Sequence, residues 1–121
     1  MLLKTEHFNS VLVVMLPTDI DAANAARVGE ELIARATHAV SCLVVDLSET
    51  RYLDSAGLDM LFRLRARMHQ RRKRVHLAVP PDSPLRRLLE IVSADAADLP
   101  VHAGVEEAVR AGTAELRVRR D

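Results

Sequence analysis

The sequence predicts a single α/β domain whose mostly parallel, mixed sheet has about five strands and is covered by about four helices. Three observations support this fold class. The chain has 121 residues, which is the size of one domain. Short runs of branched apolar residues alternate with longer segments of helical spacing, in the order ββαβαβαβα. Each strand after the first is followed by a helical segment, as parallel crossover connections require.

The first three elements are predicted to be a hairpin and a helix. Residues 3–8 and 11–16 are extended segments separated by Asn9 and Ser10, a pair suited to a tight turn. Apolar residues then recur at helical spacing over residues 22–37, which predicts the first helix. Asp21 precedes this segment, so its carboxylate can cap the free amides of the first helical turn.

The centre of the sheet is predicted at residues 42–45. This run is apolar without polar alternation, which is typical of a strand covered on both faces. The second helix is expected to begin near Ser55, and a further strand is expected over residues 75–79. This strand ends at two prolines, after which Ser83 and Pro84 predict the start of the third helix.

The last two elements are a strand over residues 99–103 and a helix over residues 105–116. Pro100 lacks an amide hydrogen and therefore favours a position at the edge of the sheet. We expect the domain to span residues 1–116 and the charged tail, residues 117–121, to fray.

Composition and charge exclude several functional classes. The chain carries 17 basic and 17 acidic residues, so its overall field gives no long-range attraction to nucleic acid or to an anionic membrane. Aromatic residues make up 2% of the chain, too few for a base-stacking surface. The longest apolar run, residues 11–16, is far short of the roughly 20 residues that a membrane span needs. We therefore expect neither nucleic acid binding nor direct membrane insertion.

The sequence gives little support to cysteine, metal or cofactor chemistry. Cys42 is the only cysteine, which excludes an intrachain disulfide and a multi-cysteine metal site and fits a reducing, cytoplasmic location. The histidines show no ligand spacing, and no phosphate-binding loop or dinucleotide motif is present. The segment around Ser55 lacks the first glycine of a hydrolase nucleophile elbow. We expect no enzymatic activity, no metal and no cofactor.

Acidic residues are expected to gather at the carboxyl edge of the sheet, where open α/β sheets bind ligands and partners. Asp19 and Asp21 follow the second strand, Asp46 follows the third, and Asp54 and Ser55 open the second helix. Spacing alone favours a structural role for Ser55, since a serine directly before a helix is a common N-cap that contributes about 1 kcal/mol. The alternative is that its hydroxyl has a function at this edge.

A specific motif lies in the same region. A strand ends in Asp46-Leu47-Ser48, a short loop carries Tyr52 and Leu53, and the sequence Asp54-Ser55-Ala56-Gly57-Leu58 opens a helix. This pattern resembles the signature of the STAS family, whose small stand-alone members are bacterial anti-sigma factor antagonists. The resemblance extends to residues 16–21 and 104–108, so it covers nearly the whole chain in the same element order.

The resemblance implies a protein-binding module that is a substrate and not an enzyme. In the family, an anti-sigma factor that is a serine kinase phosphorylates the serine after the motif aspartate, which corresponds to Ser55. The unphosphorylated protein sequesters the anti-sigma factor and so releases a sigma factor, and a serine phosphatase resets the phosphorylated form. Asp21 and Asp54 match acidic positions beside the phosphoacceptor, and Asp19 lies at the same edge. The oligomeric state is open between monomer and homodimer.

The start of the second helix is the expected partner-binding surface. Met60 and Leu64 widen the apolar arc of this helix, and we expect them to contact the partner. Replacing both by Glu would then weaken binding and leave folding largely intact. The full set of expected contact residues is Ala56, Gly57, Leu58, Asp59, Met60 and Leu64.

Two other functions are compatible with the sequence. Small STAS proteins also serve as cytoplasmic accessory subunits of lipid-transporting ABC permeases, and others are scaffold subunits of larger STAS assemblies. The basic run from Arg63 to Arg74 is explained by a solvated helix face and turn, or alternatively by a docking patch for an acidic partner. Residues 70–74 of this run replace a glycine-containing turn of the family.

Overall fold

The computed structural model describes residues 3–95 and 99–120, and within them it confirms the α/β fold class and the order of the main elements. In chain order, the elements are β1 (Thr5–Phe8), β2 (Val11–Met15), β3 (Asp19–Ile20), α1 (Ala25–Arg35), β4 (Cys42–Asp46), β5 (Tyr52–Leu53), α2 (Ser55–Gln70), β6 (Arg74–Ala78), α3 (Arg86–Asp95), β7 (Val101–His102) and α4 (Val105–Arg120).

The main sheet has the strand order β1-β2-β4-β6-β7. β1 and β2 form the predicted antiparallel hairpin, and Asn9 in its turn has a φ of 58°. The other neighbours are parallel, and Val44 of β4 pairs with Val13 on one side and with His76 on the other. Every residue of β4 is buried, as its unbroken apolar sequence predicts for a central strand. β7, which follows Pro100, lies at an edge of the sheet.

Successive strand residues belong to two hydrophobic layers, one on each face of the sheet. Leu43 and Leu77 are part of the larger core, together with buried residues of α1, α2 and α3. Cys42 and Val44 face the other way and pack with Ala108 of α4. The sheet is therefore covered by helices on both faces, which explains why β2 and the first four residues of β4 are apolar without alternation.

Helix boundaries differ from the sequence prediction by a few residues, most clearly at the start of α1 and at the end of α4. α1 begins at Ala25 rather than at residue 22, because the chain first makes a turn in which the Asp21 carboxylate accepts a hydrogen bond from the Ala23 amide (2.9 Å). Asp21 therefore caps this turn instead of the helix itself. α4 extends to Arg120, so the backbone of residues 117–120 is helical where we expected a frayed tail.

A second, two-stranded sheet was not predicted. β3 and β5 pair in parallel, with Asp19 opposite Tyr52 and Ile20 opposite Leu53. Strands of two residues are too short to show an alternation pattern, so they could not be predicted from the sequence. The pair positions the acidic residues Asp21 and Asp54, which directly follow its two strands.

Candidate functional site

The β3–β5 pair brings the predicted acidic residues together at the carboxyl edge of the sheet. Asp21 follows Ile20, Asp54 follows Leu53, and the Asp54 amide donates a hydrogen bond to the Ile20 carbonyl oxygen (3.2 Å). Asp19 is exposed and Asp21 is half-buried. Two separate segments of the chain therefore contribute carboxylates at the carboxyl end of the β3–β5 pair, next to the start of α2.

Asp46, in contrast, is turned into the protein. Its side chain is only 5% exposed, and its Oδ1 atom accepts a hydrogen bond from the Ser48 amide (3.0 Å). The carboxylate thus closes the turn that leaves β4. Its role is structural, and the exposed acidic edge consists of residues from the other two segments.

The cap of α2 is Asp54 and not Ser55. The Asp54 Oδ1 atom accepts hydrogen bonds from the amides of Ala56 (2.9 Å) and Gly57 (3.1 Å), which are free donors of the first turn. Ser55 is the first helical residue and is exposed, and its hydroxyl takes no part in this cap. The structural interpretation of Ser55 as an N-cap is therefore wrong, because the aspartate one residue earlier already has the extended backbone of a cap.

Other hydroxyls near Ser55 are less accessible or are already engaged. Thr50 is 1% exposed, and its Oγ1 atom donates a hydrogen bond to the Pro17 carbonyl oxygen (2.8 Å). Ser48 is half-buried. Tyr52 is 52% exposed, but it lies in β5 and not at the start of a helix. Ser55 is thus an exposed aliphatic hydroxyl at a helix start, where the helix dipole favours a negatively charged group.

Gly57 packs the first turn of α2 onto the β3–β5 pair. A Cβ at this position would come within 2.4 Å of Leu53 Cδ1 and 3.1 Å of the Ile20 carbonyl oxygen. Only a residue without a side chain fits so close to backbone and core atoms. Gly57 is buried, so its place in the structure is a packing position, and its predicted contact with a partner is disfavoured by that burial.

An apolar groove of about 560 Å³ runs between α1 and α2, beginning beside Ser55 at Ala56. Gly29 of α1 allows the two helices to approach, since a Cβ there would meet Met60 Cγ at 2.9 Å. Small residues form much of the lining, including Ala22 in the turn before α1 and Ala26 of α1. The groove was not predicted, although small residues recur at helical spacing from Ala22 to Gly29 and could have indicated it.

Met60 and Leu64 line this groove but belong to the core. They are 6% and 1% exposed, respectively. The expectation that both could be replaced by Glu with little effect on folding is therefore wrong, because a charge would be forced into a packed layer. Leu58 is also half-buried and packs against the core. A role of these three residues in partner binding stays a prediction.

The rim of the groove on α2 is charged. Asp59 and Arg63 form an ion pair (Oδ2 to Nε, 2.7 Å), and their side chains are 59% and 80% exposed. The basic side chain thereby compensates the additional negative charge that Asp59 places one turn after Ser55. Such an exposed pair contributes little to stability, so it is available to exchange partners at a protein interface.

Comparison with known families agrees with this geometry. A family model described as "Mlab, STAS domain" matches residues 4–117. The chain belongs to the STAS domain family. No curated protein matches the sequence, so the family model and the solved structures provide the comparisons for this STAS domain.

Several solved structures share the fold of this STAS domain. An anti-sigma factor antagonist from Mycobacterium paratuberculosis has a TM-score of 0.77 at 21% identity, with 93% of each chain covered. The phosphorylated form of SpoIIAA, a Bacillus cell fate determinant, has a TM-score of 0.64 at 16% identity over 90% of this chain and 97% of that one. The murine anion transporter Solute Carrier 26 family member A9 also matches, with a TM-score of 0.72 at 18% identity. That match covers 90% of this chain but 18% of the transporter.

The helices of this STAS domain were also compared with the requirements of a membrane span. Among residues 3–95 and 99–120, no helix is both long enough and apolar enough to cross a bilayer.

Proposed function

We propose that this STAS domain is an anti-sigma factor antagonist, a cytoplasmic protein-binding module switched by phosphorylation of Ser55. One observation carries the proposal: Ser55 is exposed at the start of α2 and is free of the capping role, which Asp54 fulfils. A modified Ser55 would leave the helix cap intact. The likeness to an anti-sigma factor antagonist and to phosphorylated SpoIIAA supports this function for the fold.

A phosphate on Ser55 would change binding more than folding. It adds a charge of about −1.5 to −2. The dipole of α2 stabilises that charge by about 0.3 to 1 kcal/mol, whereas Asp54, Asp21 and Asp59 oppose it. These effects nearly cancel within the domain. At the centre of an interface, a charge that finds no matched partner costs about 2 to 5 kcal/mol, which corresponds to a loss of affinity between about 30-fold and several thousand-fold.

The partner we propose is an anti-sigma factor that is itself a serine kinase, and a serine phosphatase would reverse the modification. The α1–α2 groove extends the surface around Ser55, and its apolar lining with a charged rim has the anatomy of a protein interface. Binding of the kinase over Ser55 and the groove would place the hydroxyl at the interface. The same contact would withhold the kinase from its sigma factor.

Phosphate mapping tests the proposal directly. The domain is incubated with ATP and the anti-sigma kinase encoded nearest to it, and the phosphorylated residue is identified by mass spectrometry. We expect stoichiometric phosphate on Ser55 and none in Ser55→Ala. Because Thr50 is buried and hydrogen-bonded, Thr50→Val is a matched control that should still be phosphorylated. Stoichiometric phosphate on Ser48 or Tyr52 that persists in Ser55→Ala would overturn the assignment.

A second candidate function is that of an accessory domain of a transporter. The observation that favours it is the match to the murine anion transporter, in which a domain of this fold forms a small part of a larger chain. In that case the domain would bind a transporter subunit, and phosphorylation of Ser55 would not be required. Co-purification with a permease or its ATPase, unaffected by Ser55→Asp, would support this function over the first.

A further inference from the structure

Two histidines form a hydrogen-bonded pair on the α4 side of the sheet. His76 of β6 is 3% exposed, and its Nδ1 atom lies 2.8 Å from Nε2 of His102 on β7. The outer nitrogen of each ring faces a carboxylate of α4. His76 Nε2 lies 2.6 Å from Glu115 Oε1, and His102 Nδ1 lies 3.4 Å from Glu107 Oε1. The four side chains form a histidine chain, Glu115–His76–His102–Glu107, that connects α4 to two strands.

The number of protons on the two rings of the histidine chain decides which of its three contacts are hydrogen bonds. A carboxylate can only accept, so each outer contact needs a proton on the ring nitrogen, and the contact between the rings needs one more. Two neutral imidazoles carry two protons for these three contacts. A neutral pair therefore leaves one contact as two acceptors facing each other. The 3.4 Å contact between His102 and Glu107 is the longest of the three and is longer than an ordinary hydrogen bond, so it is the contact that loses least without a proton.

His76 is the ring that stays neutral. Burial lowers the pKa of His76, and the nearby Glu115 carboxylate opposes this effect without cancelling it. Its Nε2–H is then the donor to Glu115, and its Nδ1 accepts from His102 Nε2–H. His102 lies at the more accessible end of the histidine chain. Its side chain is 13% exposed, and that of Glu107 is 53% exposed.

Charged and titratable groups from the surrounding elements fit this arrangement. Arg74 of β6 lies 3.6 Å from Glu115 (Nε to Oε2), which places a positive charge beside that carboxylate. Arg86 of α3 donates a hydrogen bond from Nη1 to the carbonyl oxygen of His102 (3.2 Å). Cys42 of β4 stays a neutral thiol, since burial and the charge of Glu115 raise its pKa to about 12.

We propose that the His76–His102 pair is a proton-binding site that fastens the first turn of α4 to β7 when the pH falls. One proton binds to His102 Nδ1 and is donated to Glu107, while the hydrogen bonds of His76 remain as they are. In the neutral pair, the hydrogen bond between His76 and Glu115 connects α4 to β6, whereas no proton lies between His102 and Glu107. The protonated pair joins α4 at both Glu115 and Glu107. This inference depends on the fold and not on phosphorylation of Ser55.

Nuclear magnetic resonance of the imidazole nitrogens tests the site from about pH 8 to about pH 5, the range in which histidine titrates. We expect the His102 nitrogens to shift to the values of a cation, whereas His76 keeps its Nε2–H tautomer throughout. After correction for intrinsic exchange, amide exchange in the first turn of α4 should slow as His102 is protonated. The variant Glu107→Gln removes the negative charge beside His102 and supplies an amide that can donate to the neutral ring, so its His102 titration should move to lower pH.

A matched control is Glu106→Gln, which neutralises the neighbouring exposed carboxylate in the same helical turn. Its His102 titration should follow that of the unmodified protein. Both substitutions are at exposed positions, so the fold is retained in each. Equal titration curves for Glu107→Gln and Glu106→Gln would overturn the proposal. So would protonation of His76 before His102, because the buried ring would then be the proton-binding group.

Discussion

The Oδ1 atom of Asp54 accepts the amide hydrogen of Gly57 at 3.1 Å, so the residue before Ser55 satisfies the first turn of α2. Asp54→Ala should therefore lower the free energy of unfolding by about 1 kcal/mol, and Asp54→Asn should retain most of the stability. Ser55→Ala should change it by less than about 0.5 kcal/mol. Urea unfolding measures all three variants. A larger loss of unfolding free energy in Ser55→Ala than in Asp54→Ala would show that Ser55, and not Asp54, caps the helix.

Two residues that line the groove between α1 and α2 differ in burial and should respond differently to an added charge. Leu64→Glu should lower the free energy of unfolding by several kcal/mol, because Leu64 is 1% exposed and the new charge has no partner in the core. Ala26 also lines the groove but is exposed, so Ala26→Glu should fold normally. If the proposed partner occupies the groove, Ala26→Glu should weaken its binding about tenfold, or about 1.4 kcal/mol.

The control for the groove is Ala34→Glu. Ala34 is exposed on the same helix but lies outside the groove, beside Thr37 and His38. Calorimetric titration with the partner should give equal affinities for Ala34→Glu and the unmodified protein. Equal affinities for Ala26→Glu as well would show that the partner does not enter the groove.

The turn before β6 contains a residue that a glycine should replace well. Arg72 has a φ of 60°, a left-handed backbone conformation that costs a non-glycine residue of order 1 kcal/mol. Arg71, the C-cap of α2, has an ordinary φ of −94°. Arg72→Gly should therefore be more stable than Arg71→Gly by about 1 kcal/mol, as measured by thermal or urea unfolding. Equal stabilities would show that the turn carries no backbone strain at Arg72.

This turn also shows what the sequence could predict and what it could not. The absence of a glycine in residues 70–74 was visible as a departure from the family pattern, but only the structure shows that Arg72 adopts the left-handed conformation instead. The strands and helices of the main sheet were predictable because their hydrophobic periods are long enough to recognise. The position of Ser55 at the start of α2 was predictable from its motif.

Contacts between distant segments were not predictable from periodicity. The β3–β5 pair joins Ile20 to Leu53, and Gly57 packs on both, yet neither strand has enough residues to show a pattern. The distinction between Asp54 and Ser55 as the cap depends on one residue of helix boundary, which propensity alone does not resolve. The histidine chain joins residues from β6, β7 and α4, and no spacing in the sequence indicates it.

The contribution of His76 to the stability of the domain should fall as the pH decreases below about 6.5, the ordinary histidine value. Burial lowers the pKa of His76 in the folded state, so the unfolded chain takes up a proton in this range before the folded chain does. The unfolded state then binds more protons, and the free energy of unfolding decreases with falling pH. The contribution of His76 is fully present above this range and is lost as the pH falls toward its lowered folded pKa.

Urea unfolding at several pH values isolates this contribution. His76→Gln should show a shallower decrease of stability below about pH 6.5 than the unmodified protein, since the titrating ring is absent. His38 is exposed, and His38→Gln is the matched control that should keep the original pH dependence. A pH dependence that is the same in His76→Gln as in His38→Gln would contradict the assignment.

The switch itself is tested by placing a charge on Ser55 without a kinase. Ser55→Asp adds a negative charge at the first helical residue, where the dipole of α2 favours it and Asp54 still provides the cap. Folding should therefore be retained, whereas affinity for the anti-sigma partner should fall at least about tenfold, or about 1.4 kcal/mol. Ser55→Asn has a similar size and no charge, so it should bind like the unmodified protein. Calorimetric titration near 0.15 M salt measures these affinities at fixed screening. If Ser55→Asp binds as tightly as Ser55→Asn, charge at this position does not control the interface, and the accessory role in a transporter becomes the better explanation.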